Sequence, residues 1–98
     1  MPRSLSKSVP PATPNMADAV TLGRAVRAQR LAAGLRIDDA AALCGVSVTV
    51  LSRLENAVSG ISTKNLFKVL DGLGMALLVV AKGEVAQVVA ALDGAGRK

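Results

Sequence analysis

Glycine cuts this chain into short pieces. Gly34, Gly45, Gly60, Gly74 and Gly83 interrupt each apolar stretch before it grows long. Such punctuation asks for a core assembled from several short helices. Between the glycines the apolar residues recur at helical spacing. Leu22, Ala25, Val26 and Ala33 share one face, with Arg24 and Arg27 away from it. Order is expected from about Asp18 or Thr21, with Thr21 as cap. Gly34 is a left-handed stop followed by hydrophobic Leu35. A second short helix fits "DDAAALC", whose Asp38 and Asp39 lie where the helix dipole favours anions. Gly45 closes it in a tight turn. A third helix runs from Ser47 to about Glu55, followed by the loop "NAVSG". Ser62 then caps a fourth, "TKNLFKVLDGL", with Leu66, Val69, Leu70 and Leu73 at i, i+3, i+4 and i+7.

After Gly74 comes "MALLVVA", apolar and rich in branched side chains, which reads as a strand over 75–82. It would be the single strand of the chain. A lone strand leaves its edges unpaired and has no stability of its own. It must therefore either be helix or pair with its copy in a second subunit, and Gly74 and the Leu-Val-Val run argue against helix. Met75, Leu77, Leu78, Val79 and Val80 become the expected dimer contacts. Beyond them "EVAQVVAAL" carries Val85, Val88, Val89 and Leu92 as a helical stripe that packs at the dimer or meets a partner. All four prolines fall within the first fourteen residues, so 1–17 reads as a disordered arm. Its Arg3 and Lys7 could brush a phosphate backbone, although an inert leader serves as well. The expected organisation is thus an arm (1–17), a helical domain (18–74), a dimerising strand (75–82) and a tail with a short helix (83–98). The fold class is all-α, with four to five helices and one C-terminal strand pairing across a homodimer.

Hydrophobic residues make up 51% of the 98, but they are mostly Ala, Val and Leu, and Phe67 is the one aromatic. Small side chains pack helices closely yet bury little area each, which limits monomer stability and favours association. The formal charge of +5 and a sequence pI near 10.2 favour an anionic partner, nucleic acid first, although mild basicity alone also occurs without it. Histidine is absent and Cys44 is the sole cysteine. This excludes an internal disulfide and a Cys/His zinc site, and it leaves catalysis only carboxylates or lysines, so neither enzyme, metal nor cofactor is expected. Cys44 reads as a small core residue in a reducing cytoplasm. No apolar run approaches the ~18–20 residues of a membrane helix, and the N-terminal segment lacks a signal peptide's apolar stretch.

Two short helices joined through "CGVS", with apolar Val46 after the glycine, form a helix-turn-helix pattern. Its second helix must bury Leu51 and Leu54 while its first turn enters a major groove. The β-branched run Val48-Thr49-Val50 is a poor opening for a helix facing water. It makes sense if Val48 and Thr49 face a groove while Val50 turns inward. Ser47, Val48, Thr49, Ser52 and Arg53 are then the candidate base readers. Hydroxyls meet bases or phosphates, a valine methyl contacts thymine methyl, and arginine takes guanine O6 and N7. The helix N-terminus itself attracts phosphate.

With these motifs, residues 22–81 resemble the Xre/Cro-type helix-turn-helix family, and most closely its HipB-type antitoxin branch. "LGRAVRAQRLAAGL" and "AALCGVSVTVLSRLEN" carry the broad resemblance, and "STKNLFKVLDGLGMALLVV" that to the branch. The resemblance implies that Ser47, Val48, Thr49 and Arg53 read bases. It implies an ion pair between Arg30 and Glu55, and phosphate contacts from Ser62, Thr63, Lys64 and Asn65. The family's usual Thr-Gln opening of the second helix is replaced by Arg36-Ile37, so the usual cap is missing and Arg36 would grip phosphate by charge. A recognition turn poor in Gln, Asn and Lys also implies a share of shape readout. The implied partners are double-stranded DNA bearing an operator palindrome, a second copy of the chain, and a HipA-like serine/threonine kinase toxin, with no membrane. The competing readings are a stand-alone Xre-type regulator without a toxin and a protein-interaction module that no longer binds DNA, using Val48, Val50 and the C-terminal stripe.

Overall fold

The computed structural model describes residues 18–58 and 60–95. Five α-helices lie among them: α1 (Ala19–Ala32), α2 (Ile37–Cys44), α3 (Val48–Glu55), α4 (Thr63–Gly72) and α5 (Val85–Ala95), with a 3-10 turn at Lys82–Glu84 before the last. Asp18, not Thr21, caps α1, its carboxylate accepting from the Thr21 backbone N–H at 2.8 Å. That bond holds the Asp18 carboxyl below its ordinary value. Its contribution is therefore present at neutral pH and fades as pH falls through the lowered value. Ser47 and Ser62 cap α3 and α4, each hydroxyl accepting at 3.1 Å from the backbone N–H three residues on. At α2 the cap position is Arg36, whose side chain makes no such bond.

The first four helices end alike. At each end a residue in the left-handed region donates back to one helical carbonyl, and the hydrophobic residue after it donates to the carbonyl before that. Gly34 and Leu35 bond to Leu31 and Arg30, Gly45 and Val46 to Ala42 and Ala41, and Gly74 and Met75 to Asp71 and Leu70. These are Schellman ends, which satisfy carbonyls that a short helix would otherwise leave orphaned. At α3 the same pair of bonds runs from Ala57 to Leu54 and from Val58 to Arg53, and Ala57 is held at φ 57°. An alanine there carries the Cβ penalty that glycine escapes. It was invisible in the sequence, where glycine is the signal for such an end.

Leu51, Val26 and Val69 form the fully buried centre, with Ala40, Ala41, Cys44, Leu54, Leu70 and Leu73 around them. The small residues permit close helix approach. A Cβ on Gly72 would lie 2.6 Å from Cys44 Sγ and 2.8 Å from its Cα, so α4 meets α2 through a glycine. Cys44 Sγ donates to the Val69 carbonyl at 3.6 Å. Burial pushes its thiol above the ordinary value, which suits a packing residue and not a nucleophile. Gln29 Nε2 donates to the Leu73 carbonyl at 3.1 Å, tying α1 to the end of α4. No described helix is long and apolar enough to cross a membrane.

The expected strand at 75–82 does not form among the described residues. Residues 75–81 run without regular structure and Lys82 opens the 3-10 turn. A strand is defined by its ladder, and one chain with a single such segment offers it no partner. Met75 packs against the core, Val80 is half-buried, and Leu77, Leu78 and Val79 are exposed, Val79 at 84%. Together with Leu22, Leu70 and the stripe Val85, Val88, Val89 and Leu92, this segment borders an apolar cavity of about 410 Å³. The arm expected at 1–17 lies outside the described residues. Replacing Ala57 by glycine should relieve its left-handed strain and stabilise the protein by about 0.5–1 kcal/mol, read as an upward shift of a few degrees in Tm.

Candidate nucleic-acid interface

The helix-turn-helix pair is α2 and α3, joined at Gly45. Val46 packs inward behind the glycine while Ser47, one residue on, is exposed and caps α3. Burial of Leu51 and Leu54 sets the rotation of α3 about its axis. That rotation leaves Val48, Thr49 and Arg53 exposed and Ser52 and Val50 half-buried. Val48 shows 43% of its surface, a branched apolar side chain held outward at the first turn. Two of the hydroxyls already accept protein hydrogen bonds. Ser47 Oγ takes the Val50 N–H, and Ser52 Oγ receives Asn56 Nδ2 at 3.5 Å while the same nitrogen donates to the Ser52 carbonyl at 2.8 Å. Each hydroxyl keeps its own proton to donate to a base or phosphate. The Asn56 contact was missed in the sequence, where an asparagine after a helix reads simply as an end.

The Arg53 guanidinium turns toward the 57–62 loop, with Nη1 only 3.5 Å from where a Gly60 Cβ would stand. Arg53, Gly60, Ser62 and Thr63 line part of a cavity of about 300 Å³ between that loop and the starts of α1 and α4. Ser62, Thr63 and Lys64 are exposed at the N-terminus of α4 and Asn65 is half-buried, so the second group of candidate residues borders the same loop as Arg53. Arg36 stands apart at the N-terminus of α2, 81% exposed and 3.4 Å from Asp38 Oδ1. So exposed a pair is worth at most about 1 kcal/mol, leaving Arg36 available to an anion. No group of three or more His, Cys, Asp or Glu that could hold a metal occurs among the described residues.

Behind this surface Arg30 and Glu55 meet. Arg30 Nε donates to Glu55 Oε2 at 2.6 Å, Nη2 to Oε1 at 2.9 Å, and Nη1 to the Leu35 carbonyl at 3.0 Å. The two side chains are only 10% and 4% exposed. The bond to Glu55 raises the Arg30 pKa above its ordinary value. It joins α1 to the last residue of α3.

A helix-turn-helix family model matches residues 26–79, more than half of the chain. Similar solved structures share this architecture. A chain of the HipA-HipB-O2-O3 complex is 19% identical, with 69% of this chain and 96% of that one covered at a TM-score of 0.63. The clp gene regulator ClgR from C. glutamicum is 28% identical over 80% of this chain and 91% of its own, at 0.52. The hypothetical transcription factor NHTF from Neisseria is 25% identical over 82% and 95%, at 0.58. No curated protein matches the chain.

Removing one member of the Arg30–Glu55 pair strands the other in a dry site. Glu55→Ala should cost about 3–5 kcal/mol, measured by urea denaturation. The double replacement Arg30→Met with Glu55→Leu should recover much of that loss.

Proposed function

Because the chain belongs to the Xre/Cro-type helix-turn-helix family, a fold of DNA-binding regulators, we propose that it is a dimeric repressor reading an operator palindrome with α3. The observation that carries this reading is the first turn of α3. Val48 and Thr49 are held outward on a helix whose other face is locked by buried Leu51 and Leu54. In this reading Ser47, Val48, Thr49, Ser52 and Arg53 face the bases, while Arg36, Ser62, Thr63, Lys64 and Asn65 hold phosphates. Few amide side chains line the turn, so DNA shape carries part of the specificity.

Dimerisation supplies what the single chain lacks. The exposed run Leu77-Leu78-Val79 has no ladder partner among the described residues. Pairing of 75–82 with its copy about a two-fold axis would satisfy its backbone and cover the apolar cavity. The two recognition helices would then serve half-sites about 34 Å apart. The similarity to a chain of the HipA-HipB-O2-O3 complex supports an antitoxin role, with a HipA-like kinase as the second partner. The higher identity to the gene regulator ClgR favours the second reading, a stand-alone regulator. A kinase-like frame beside the gene separates the two.

The test is fluorescence anisotropy on DNA from upstream of the chain's own gene against a scrambled duplex, across a salt series. A preference of ~10³ or more with a steep salt slope is expected; equal weak binding to both sinks the proposal. Arg53→Ala should lose roughly 1–3 kcal/mol of specific binding. Lys64→Ala should weaken all sequences alike and lower the salt slope by about one. Removing the chain from Met75 onward should give monomers by light scattering.

A further inference from the structure

Gly23 lies inside α1, where glycine is less favourable than alanine. The reason for it there is the end of α3. A Cβ on Gly23 would stand 2.5 Å from the Leu54 carbonyl oxygen and 2.8 Å from that of Glu55. Both atoms are backbone, so no side chain can move aside. One α-helical face of α1 therefore contacts the end of α3 twice, at Gly23 against its carbonyls and at Arg30 on the Glu55 carboxylate. The Leu54 carbonyl is held from the other side as well, since it accepts the Ala57 N–H at 3.2 Å.

We propose that Gly23 is a positioning residue for DNA readout, its missing side chain setting how deeply the C-terminal end of α3 sits against α1 and hence the angle of its first turn. The proposal rests on the DNA-binding reading above. A Cβ at Gly23 falls about 0.9 Å short of ordinary contact at 3.4 Å, so the α3 end must yield by about that much. Leu51 is the fully buried pivot of α3. Leu54 lies three residues to one side of it and Val48 three to the other, so the helix acts as a lever with equal arms. Moving one end outward by nearly 1 Å swings the first turn by a similar amount. That exceeds the roughly 0.5 Å width of a good hydrogen-bond distance range.

The experiment compares the intact chain with Gly23→Ala and Gly72→Ala, using the operator-region duplex and its scrambled control. Gly72→Ala is the matched control. It introduces a Cβ just as crowded, 2.6 Å from Cys44 Sγ, but between α2 and α4. Circular dichroism monitors helicity. If Gly23→Ala is unfolded, it is remade in the Ala57→Gly background, with that background as reference. Gly23→Ala should lower discrimination between the duplexes by ~tenfold or more, the share that one good base contact supplies. Affinity for the scrambled duplex and the salt slope should stay unchanged, and Gly72→Ala should keep the full ratio. An unaltered ratio in Gly23→Ala, or equal loss in both variants, would overturn the proposal. If the unmodified protein itself fails to discriminate, the DNA-binding reading falls and takes this proposal with it.

Discussion

The bidentate bond between Arg30 and Glu55 is the contact on which the arrangement of the helices turns. The core is built from aliphatic side chains and one thiol, whose burial is favourable without being directional. Val26, Leu51 and Val69 establish that the helices meet, but dispersion between them is not directional. A planar guanidinium with two parallel bonds to a carboxylate is directional. With its third bond, to the Leu35 carbonyl, Arg30 also gathers the turn after α1 into the same junction. In so dry a site this pair tolerates little misalignment, because each partial bond leaves charge uncompensated.

Around that junction the fold solves one problem repeatedly. Helices as short as α2 and α3 have a large share of their carbonyls at an end. The Schellman ends at Gly34, Gly45, Ala57 and Gly74 satisfy them and, at three of the four, fold a hydrophobic residue back onto the core. The exception is α3, where Val58 remains about half exposed and the left-handed residue is alanine. The end of α3 is thus held by α1, through Gly23 and Arg30, as well as by its own closing turn.

The helices were legible because capping residues, glycines and apolar periodicity act locally. Ser47, Ser62, Gly34, Gly45 and Gly74 each determine a boundary through bonds within a few residues. Asp18 displaced Thr21 as the first cap because both could fill the role, and only the geometry of the turn selects between them. The purposes of Gly23 and Gly72 were not legible. A glycine inside a helix signals nothing about the neighbour that excludes its side chain, and those neighbours, Leu54 and Cys44, are distant in sequence. The segment 75–82 shows the converse. Its apolar pattern reads as a strand, yet a pattern supplies no hydrogen-bond partner, and within one chain it stays irregular.

The sequence by itself determined the helix-turn-helix pattern, the inward Leu51 and Leu54, and the outward Val48 and Thr49. Helical periodicity is a property of the local backbone, and burial follows wherever that stripe finds a neighbour. Only the tertiary structure decided how deeply α3 sits against α1 and where the Arg53 guanidinium rests beside Gly60. These depend on distances of a few tenths of an ångström between elements. No local propensity encodes them, because they are the outcome of all the packing contacts at once.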